Sequence, residues 1–255
     1  MKIIGSDYDG TLNHNGIDDR KRRAIAQWRK AGNAFCLVSG RHARNVRELH
    51  LEQNFECDYF VGSNGAVILN AQNEAVYTEC CDPRLLVPLI GYLFELGCHG
   101  CVVHSVNYFG VFPTEEAGRA LNRDNRYECY TLQTIPSIPY YTQVSTWHST
   151  EEAAAMVAAK VRQQFGERFH SMQNGLSVDI VHIEVNKANG LSRLVELLGA
   201  SDNDVITVGD NVNDYDMIKA FRSYAMENGV DTIKTLADFT TPGVAELIEK
   251  ELALP

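Results

Sequence analysis

Asp7 and Asp9 stand at the end of an apolar run, in the segment Ile3-Ile4-Gly5-Ser6-Asp7-Tyr8-Asp9-Gly10-Thr11-Leu12. Such a run, stopped by Gly and Thr, reads as a short buried strand that ends in a turn, so both carboxylates project from the strand end into a cleft. Two anions this close raise each other's pKa. A divalent metal offsets that repulsion and still leaves a carboxylate free to attack or to pass on a proton. An ordinary surface turn rich in Asp and Gly has the same composition, so the rest of the chain must decide between the two.

Three further sets have the same character. Ser39-Gly40-Arg41 follows a second apolar run and offers a hydroxyl and backbone N–H groups at a helix start, a seat for an anion or simply an N-cap serine. Asn186-Lys187-Ala188-Asn189-Gly190 precedes a helix whose Leu191, Leu194, Val195 and Leu198 recur at i, i+3, i+4, i+7. A lysine there opposes the helix dipole unless it serves an anion, although lysines in exposed first turns are common. Val208-Gly209-Asp210-Asn211-Val212-Asn213-Asp214 is again a strand ending in a Gly-Asp turn. Asp210 and Asp214 offer the oxygen ligands that Mg²⁺ prefers, while an Asx-turn with helix capping accounts for one or two of the polar residues.

The elements that must position these sets alternate strand and helix, the pattern of a parallel sheet covered by helices. Strands are expected at Lys2 to Ser6, Ala34 to Val38, Tyr59 to Val61, Val205 to Val208 and Tyr224 to Met226, with a helix from Asp19 to Ala31 stopped by Gly32. Ala66 to Leu69 and Glu74 to Tyr77 flank a turn-like Asn70-Ala71-Gln72-Asn73 and read as a β-hairpin. From about Cys81 to His182 the character changes: five of the seven prolines fall here and none of the strong motifs does. This stretch reads as a second, α+β domain inserted into the first, with helices near Leu85 to Leu96 and Thr150 to Phe165. All four sets lie at strand ends or helix starts, and in open α/β sheets the C-terminal strand ends are where ligands bind.

With 255 residues, 45% of them hydrophobic, the chain can bury a substantial core. A formal net charge of -10 speaks against a nucleic-acid partner, and Arg20-Lys21-Arg22-Arg23 reads as a solvated helix face. No stretch approaches membrane-spanning length, and the apolar start is too short for a signal peptide, so a cytoplasmic protein is expected. Seven cysteines at irregular spacing fit reduced thiols. Cys98-His99-Gly100-Cys101 lacks the second pair that a structural zinc site wants and reads as a helix-to-strand turn.

The four sets together resemble the haloacid dehalogenase (HAD) superfamily, and within it the Cof-type sugar-phosphatase branch. Asp7-Tyr8-Asp9-Gly10-Thr11-Leu12 is similar to the first motif, Ser39-Gly40-Arg41 to the second, Lys187 to the third, and Gly209-Asp210 through Asn213-Asp214 to the fourth. Ser63-Asn64-Gly65-Ala66, Met217, and Ala225-Met226 with Asn228 also resemble this branch. The resemblance implies a three-layer, Rossmann-like α/β core made of residues 1–80 and 183–255, with a C2-type cap at 81–182. It implies that Asp7 is the nucleophile and that Asp9 is the general acid and base. Mg²⁺ would be held by Asp7, the Asp9 backbone carbonyl, Asp210 and, through water or from behind, Asp214. Ser39, Gly40, Lys187 and Asn213 would cradle the phosphoryl group of a small phosphorylated metabolite.

The chain departs from the family pattern at Asn13, where a second apolar residue is common, at Ala188 after the lysine, and in a short loop around Ala237 to Val244. No chemical group is lost. The expected activity is a Mg²⁺-dependent phosphatase acting on sugar phosphates. A phosphosugar mutase shares the motifs, and a non-catalytic phosphate sensor would be expected to have lost one of them. The cap would set substrate choice, and His104, Asn107, Tyr108, Tyr141 and His148 are its candidates for reaching a leaving group.

Overall fold

A computed structural model describes residues 1–105, 107–124 and 127–254, apart from the side chains of Arg44, Arg47 and Leu49. The chain forms two units, one made of Met1–Thr78 with Asn186–Pro255, the other of Glu79–Val185.

The first unit opens with β1 (Ile3–Asp7), α1 (Asp19–Lys30), β2 (Ala34–Val38), α2 (Ala43–Gln53), β3 (Tyr59–Gly62), β4 (Val67–Asn70) and β5 (Ala75–Thr78). The second contains α3 (Leu86–Glu95), β6 (Cys101–His104), β7 (Tyr108–Val111), α4 (Glu115–Leu121), β8 (Cys129–Tyr130), β9 (Gln143–Trp147), α5 (Glu151–Phe165), β10 (Phe169–Asn174) and β11 (Ser177–His182). The chain returns to the first unit with α6 (Lys187–Leu198), β12 (Val205–Gly209), α7 (Tyr215–Ala220), β13 (Arg222–Met226), α8 (Asp231–Leu236), β14 (Phe239–Thr241) and α9 (Val244–Leu252).

The first unit's sheet runs β14-β13-β12-β1-β2-β3-β4-β5, parallel from β14 to β3 and closed at one edge by the antiparallel β4–β5 hairpin. Its central strands are covered on both faces, which is why they read as unbroken apolar runs rather than alternating ones. Along β2, Phe35 and Leu37 join one apolar layer with Trp28 of α1 and Ile248 of α9; Cys36 and Val38 join the other with Leu191 of α6, Met217 of α7 and Ile233 of α8. The unit is therefore a three-layer α/β fold. Asp18 caps α1 by accepting from the Lys21 N–H, and left-handed Gly199 closes α6. Strand β1 begins one residue later than the apolar run suggested and ends on Asp7, because its ladder with β2 continues to the Asp7–Val38 pair.

The second unit is α+β. Its sheet, β10-β11-β9-β6-β7-β8, is antiparallel except between β7 and β8. Leu89, Ile90 and Leu93 of α3 and Val157, Ala158 and Val161 of α5 pack on Cys101, Val103, Val144, Val178 and Ile180. Strand period two then puts His104, Gln143, Ser145 and Asp179 on the opposite face. There the Ser145 hydroxyl donates to Asp179 (2.7 Å), lies 3.2 Å from His104 Nε2 and accepts from Gln143 (2.8 Å). Tyr141 is a correction to the sequence reading: it is wholly buried in this unit's apolar core, so its ring packs rather than reaching outward. Cys98 and Cys101 are core residues too, and burial pushes the Cys98 thiol up to about 11. Among the described residues, no helix is long and apolar enough to cross a membrane.

Candidate active site

The chain leaves β1 toward β2 on one side, and β12 lies on the other. The crevice beyond β1 is thus a topological switch point, the place in an open α/β sheet where ligands bind. Asp7 is the last residue of β1 and Asp210 follows β12 directly. Ser39 follows β2, one step beyond the Asp7–Val38 pair.

Lys187 is the first residue of α6 and is 1% exposed. Its Nζ donates to Asp7 Oδ1 at 2.7 Å and to Asp214 Oδ1 at 2.5 Å. The solvated first-turn alternative is thereby set aside, since these two carboxylates compensate a buried ammonium that would otherwise be very costly. Asp214 also does what an Asx cap does: its Oδ2 accepts from the Asp210 N–H (3.0 Å) and the Asn211 N–H (3.1 Å). Thr11 donates to Asp210 Oδ1 at 2.6 Å.

Asp7, Asp210 and Asp214 each offer an oxygen, all within 4.8 Å of one another. Among the described residues Lys187 is the cation bonded within this trio, to Asp7 and Asp214, so three carboxylates face one ammonium and the cluster carries surplus negative charge. Burial, and after it the Asp214 carboxylate, holds Asp7 well above the usual carboxylate range despite the attraction of Lys187. Burial raises Asp210 as well, against the hydrogen bond from Thr11. Burial alone would lower Lys187, but Asp214 and Asp7 overturn that and raise it, so it stays an ammonium. Surplus charge with hard oxygen donors fits a divalent cation such as Mg²⁺. Among the described residues no hydrogen bond reaches Oδ2 of Asp7 or of Asp210, which leaves those two oxygens to a ligand.

Asp9 lies apart from that cluster. Its carboxylate takes two hydrogen bonds from Arg41, at 2.7 and 2.8 Å, and both side chains are about half exposed. The Asp9 side chain is therefore outside the acidic trio, and the expectation that it serves the metal rests on its backbone carbonyl. Ser39 is buried, and its Oγ accepts from the Arg41 N–H at 3.2 Å within the loop; it is not the N-cap of α2, a position His42 holds. Asn213 is half-buried in the turn Val212–Asp214.

Two contacts and the conformation of one turn go beyond the sequence, in which Ser63-Asn64-Gly65-Ala66 stands only as part of the family resemblance. The Thr11–Asp210 and Arg41–Asp9 contacts join residues distant in the chain. The turn is Ser63–Gly65, whose three residues all have positive φ (50°, 56° and 110°). Non-glycine residues at such φ are uncommon and tend to mark sites that the surroundings over-determine. Ser63 N–H donates to Arg41 O (2.7 Å) and Asn64 N–H to Ser39 O (3.0 Å), while a Cβ on Gly65 would strike the Asn186 carbonyl at the start of α6. The turn thus ties the Ser39 loop to the helix that carries Lys187. Beside that resemblance, the local signal is the run Ser-Asn-Gly, of residues that tolerate left-handed backbone.

A sequence profile for haloacid dehalogenase-like hydrolases matches residues 4–246. The chain is 32% identical over 265 residues to the 5-amino-6-(5-phospho-D-ribitylamino)uracil phosphatase YbjI of Escherichia coli (strain K12), across 99% of this chain and 96% of that one. It is 27% identical over 287 residues to the pyridoxal phosphate phosphatase YbhA of the same bacterium, across 98% of each. Among solved structures, a HAD subclass IIB sugar phosphatase shares the fold with a TM-score of 0.79 at 17% identity, over 100% of both chains.

Proposed function

Since this chain belongs to the haloacid dehalogenase-like hydrolase family, and is a Cof-type phosphatase within it, we propose that it hydrolyses small phosphomonoesters with Mg²⁺ through an aspartyl-phosphate on Asp7. The observation that carries this reading is the buried set Asp7, Lys187, Asp210 and Asp214 at the switch point of the sheet.

Asp7 attacks phosphorus: an Oδ–P bond forms and the bond to the ester oxygen breaks, its electron pair leaving with that oxygen. Asp9 gives its proton to the departing oxygen, which leaves as the alcohol, and then takes a proton from the water that attacks the aspartyl-phosphate. Phosphate departs, Asp7 is restored as a carboxylate, and Asp9 is again the protonated acid with which the cycle began. Ser39, the Gly40 backbone, Lys187 and Asn213 hold the phosphoryl oxygens as charge spreads over them. The carboxylates of Asp7 and Asp210 and the Asp9 carbonyl would hold Mg²⁺, with Asp214 behind them or bridged by water. When bound, the cation neutralises the anions that would otherwise repel a phosphate dianion.

The two bacterial relatives are named for a phosphoribitylamino-pyrimidine and for pyridoxal phosphate. Both carry phosphate on a primary alcohol of a small polar carrier, and sugar phosphates have the same group, so we assign that substrate class to this chain. Residues 81–182 would be a C2-type cap that selects the leaving group, with His104, Asn107, Tyr108 and His148 as its candidate contacts. The cytoplasm is the compartment we propose.

The test is phosphate release from a panel of sugar phosphates, pyridoxal phosphate, phosphoribityl compounds and nucleotides, each with Mg²⁺ and with excess chelator. Release from primary-alcohol phosphates that the chelator abolishes is expected. Release that survives chelation would remove the metal from the mechanism. Migration of phosphate between hydroxyls of one sugar, without release, would identify a mutase instead.

A further inference from the structure

We infer that Thr11 is a positioning residue for the cation: its hydroxyl locks the Asp210 carboxylate by one oxygen and so commits the other oxygen to the metal. This rests on the reading of Asp210 as a metal ligand.

Thr11 is fully buried, and its Oγ1 lies 2.6 Å from Asp210 Oδ1 across a sequence separation of 199 residues. A threonine hydroxyl has one proton to give, and here it goes to that oxygen. The Asp210 main chain is already pinned at both polar atoms. Its N–H donates to Asp214 Oδ2 at 3.0 Å, and its carbonyl accepts from the Val230 N–H at 2.9 Å. The turn that carries Thr11 is pinned as well, by Asn228 Nδ2 donating to the Gly10 carbonyl at 3.0 Å and by the Asn13 N–H donating to the Tyr8 carbonyl at 2.8 Å. Gly10, with φ +85°, supplies the space, since a Cβ there would run into the Asp210 carboxylate. What remains free in Asp210 is rotation of its side chain, and Thr11 removes it. A ligand oxygen held in place before the cation arrives is not ordered at the expense of binding, and hydrogen-bond partners that orient ligands in this way typically change metal affinity by about 10–100-fold.

The experiment compares Thr11→Val, nearly isosteric but without the hydroxyl, Thr11→Ala, and Thr11→Ser, which keeps it, with Asp210→Asn as the control. Mg²⁺ affinity is read by titration calorimetry and by the Mg²⁺-induced rise in melting temperature, neither of which needs turnover. Thr11→Val and Thr11→Ala are expected to bind Mg²⁺ about 10-fold or more weakly, while Thr11→Ser binds close to wild type. Wild-type affinity in Thr11→Val and Thr11→Ala beside weakened binding in Asp210→Asn would overturn the role of Thr11 and leave the ligand reading standing. Wild-type affinity in Asp210→Asn would overturn both. A purely structural role for Thr11 would lower the metal-free melting temperature and leave the affinity unchanged, which also counts against the inference.

Discussion

Two buried clusters of charge lie in the first unit and differ in their balance. Beyond the C-terminal strand ends, Asp7, Asp210 and Asp214 cluster about one ammonium among the described residues, Lys187, which bonds Asp7 and Asp214. Near the strand starts, Glu251 of α9 accepts from the Tyr224 hydroxyl (2.6 Å) and from Arg222 (2.7 Å), with the Lys2 ammonium 3.8 Å away. Burial alone would raise both Asp7 and Glu251. At Glu251 the bonds from Tyr224 and Arg222 reverse that and hold it below the usual range, whereas at Asp7 burial, reinforced by Asp214 and Asp210, outweighs Lys187 and leaves it well above. A carboxylate outnumbered by its partners is a fastening. Carboxylates that outnumber their partners have the surplus charge and oxygen donors that suit a divalent cation.

The sharpest way to break this contrast is at Asp7. Asp7→Asn keeps the shape but removes the attacking oxygen, so phosphate release should fall by about 10³-fold or more, with the far-ultraviolet circular dichroism spectrum unchanged; retained turnover in a contaminant-free preparation would refute the nucleophile assignment. Asp9→Asn comes next, with a loss of about 10²–10⁴-fold and Mg²⁺ binding preserved in calorimetry. Loss of Mg²⁺ binding in that variant would mean that the side chain itself holds the metal. Glu251→Gln is the counterpart at the other cluster. It should cost about 1–3 kcal/mol in urea unfolding and leave kcat/KM alone, and a drop in activity at unchanged stability would erase the distinction.

The smallest effect concerns pH, and the two clusters should respond with opposite signs. Glu251 is lowered on folding, so its contribution is present above the unfolded value and fades as pH falls through the folded one. The Glu251→Gln deficit should therefore shrink on acidification. Asp7 is raised, so its contribution is present below the unfolded value and is lost as pH rises through the folded one. Mg²⁺ offsets that loss, and its effect on the melting temperature at fixed free concentration should be larger at alkaline than at acid pH. A Mg²⁺ shift that is flat with pH would detach the surplus charge from the cation site.

Much of this was legible because a buried parallel strand leaves a continuous apolar run, and a carboxylate at its end stands out. The strand runs ending at Asp7 and near Asp210 were read that way, and so were α1 and α6, whose caps and closing glycines are local signals. What could not be read depends on distant chain or on burial against expectation. Lys187 looks like any first-turn lysine until Asp7 and Asp214 close around it. Glu251 sits in Glu-Lys-Glu-Leu, a sequence that reads as exposed helix, and only its contact with Tyr224 and Arg222 shows otherwise. Tyr141 followed Tyr140 in a stretch of turns and prolines, where nothing local marks a core position. The strands described in the second unit are short and mix apolar with polar residues, because one face of that sheet carries His104, Gln143, Ser145 and Asp179.

The order of strands in the first sheet also governs when the molecule becomes complete. Strand β1 pairs with β2 almost at once, but its other neighbour, β12, is separated from it by the whole of the second unit. At translation rates of about 5–20 residues per second, roughly 10–40 s separate the emergence of Asp7 from that of Asp214. Through that interval one edge of β1 lacks its partner, Lys187 and both later carboxylates are absent, and the inserted segment, with its own core, can fold first. A nascent or truncated chain of this protein therefore presents Asp7 without the ammonium that Lys187 brings to it. The cluster of Asp7, Lys187, Asp210 and Asp214 is complete only once the last quarter of the polypeptide has begun to emerge.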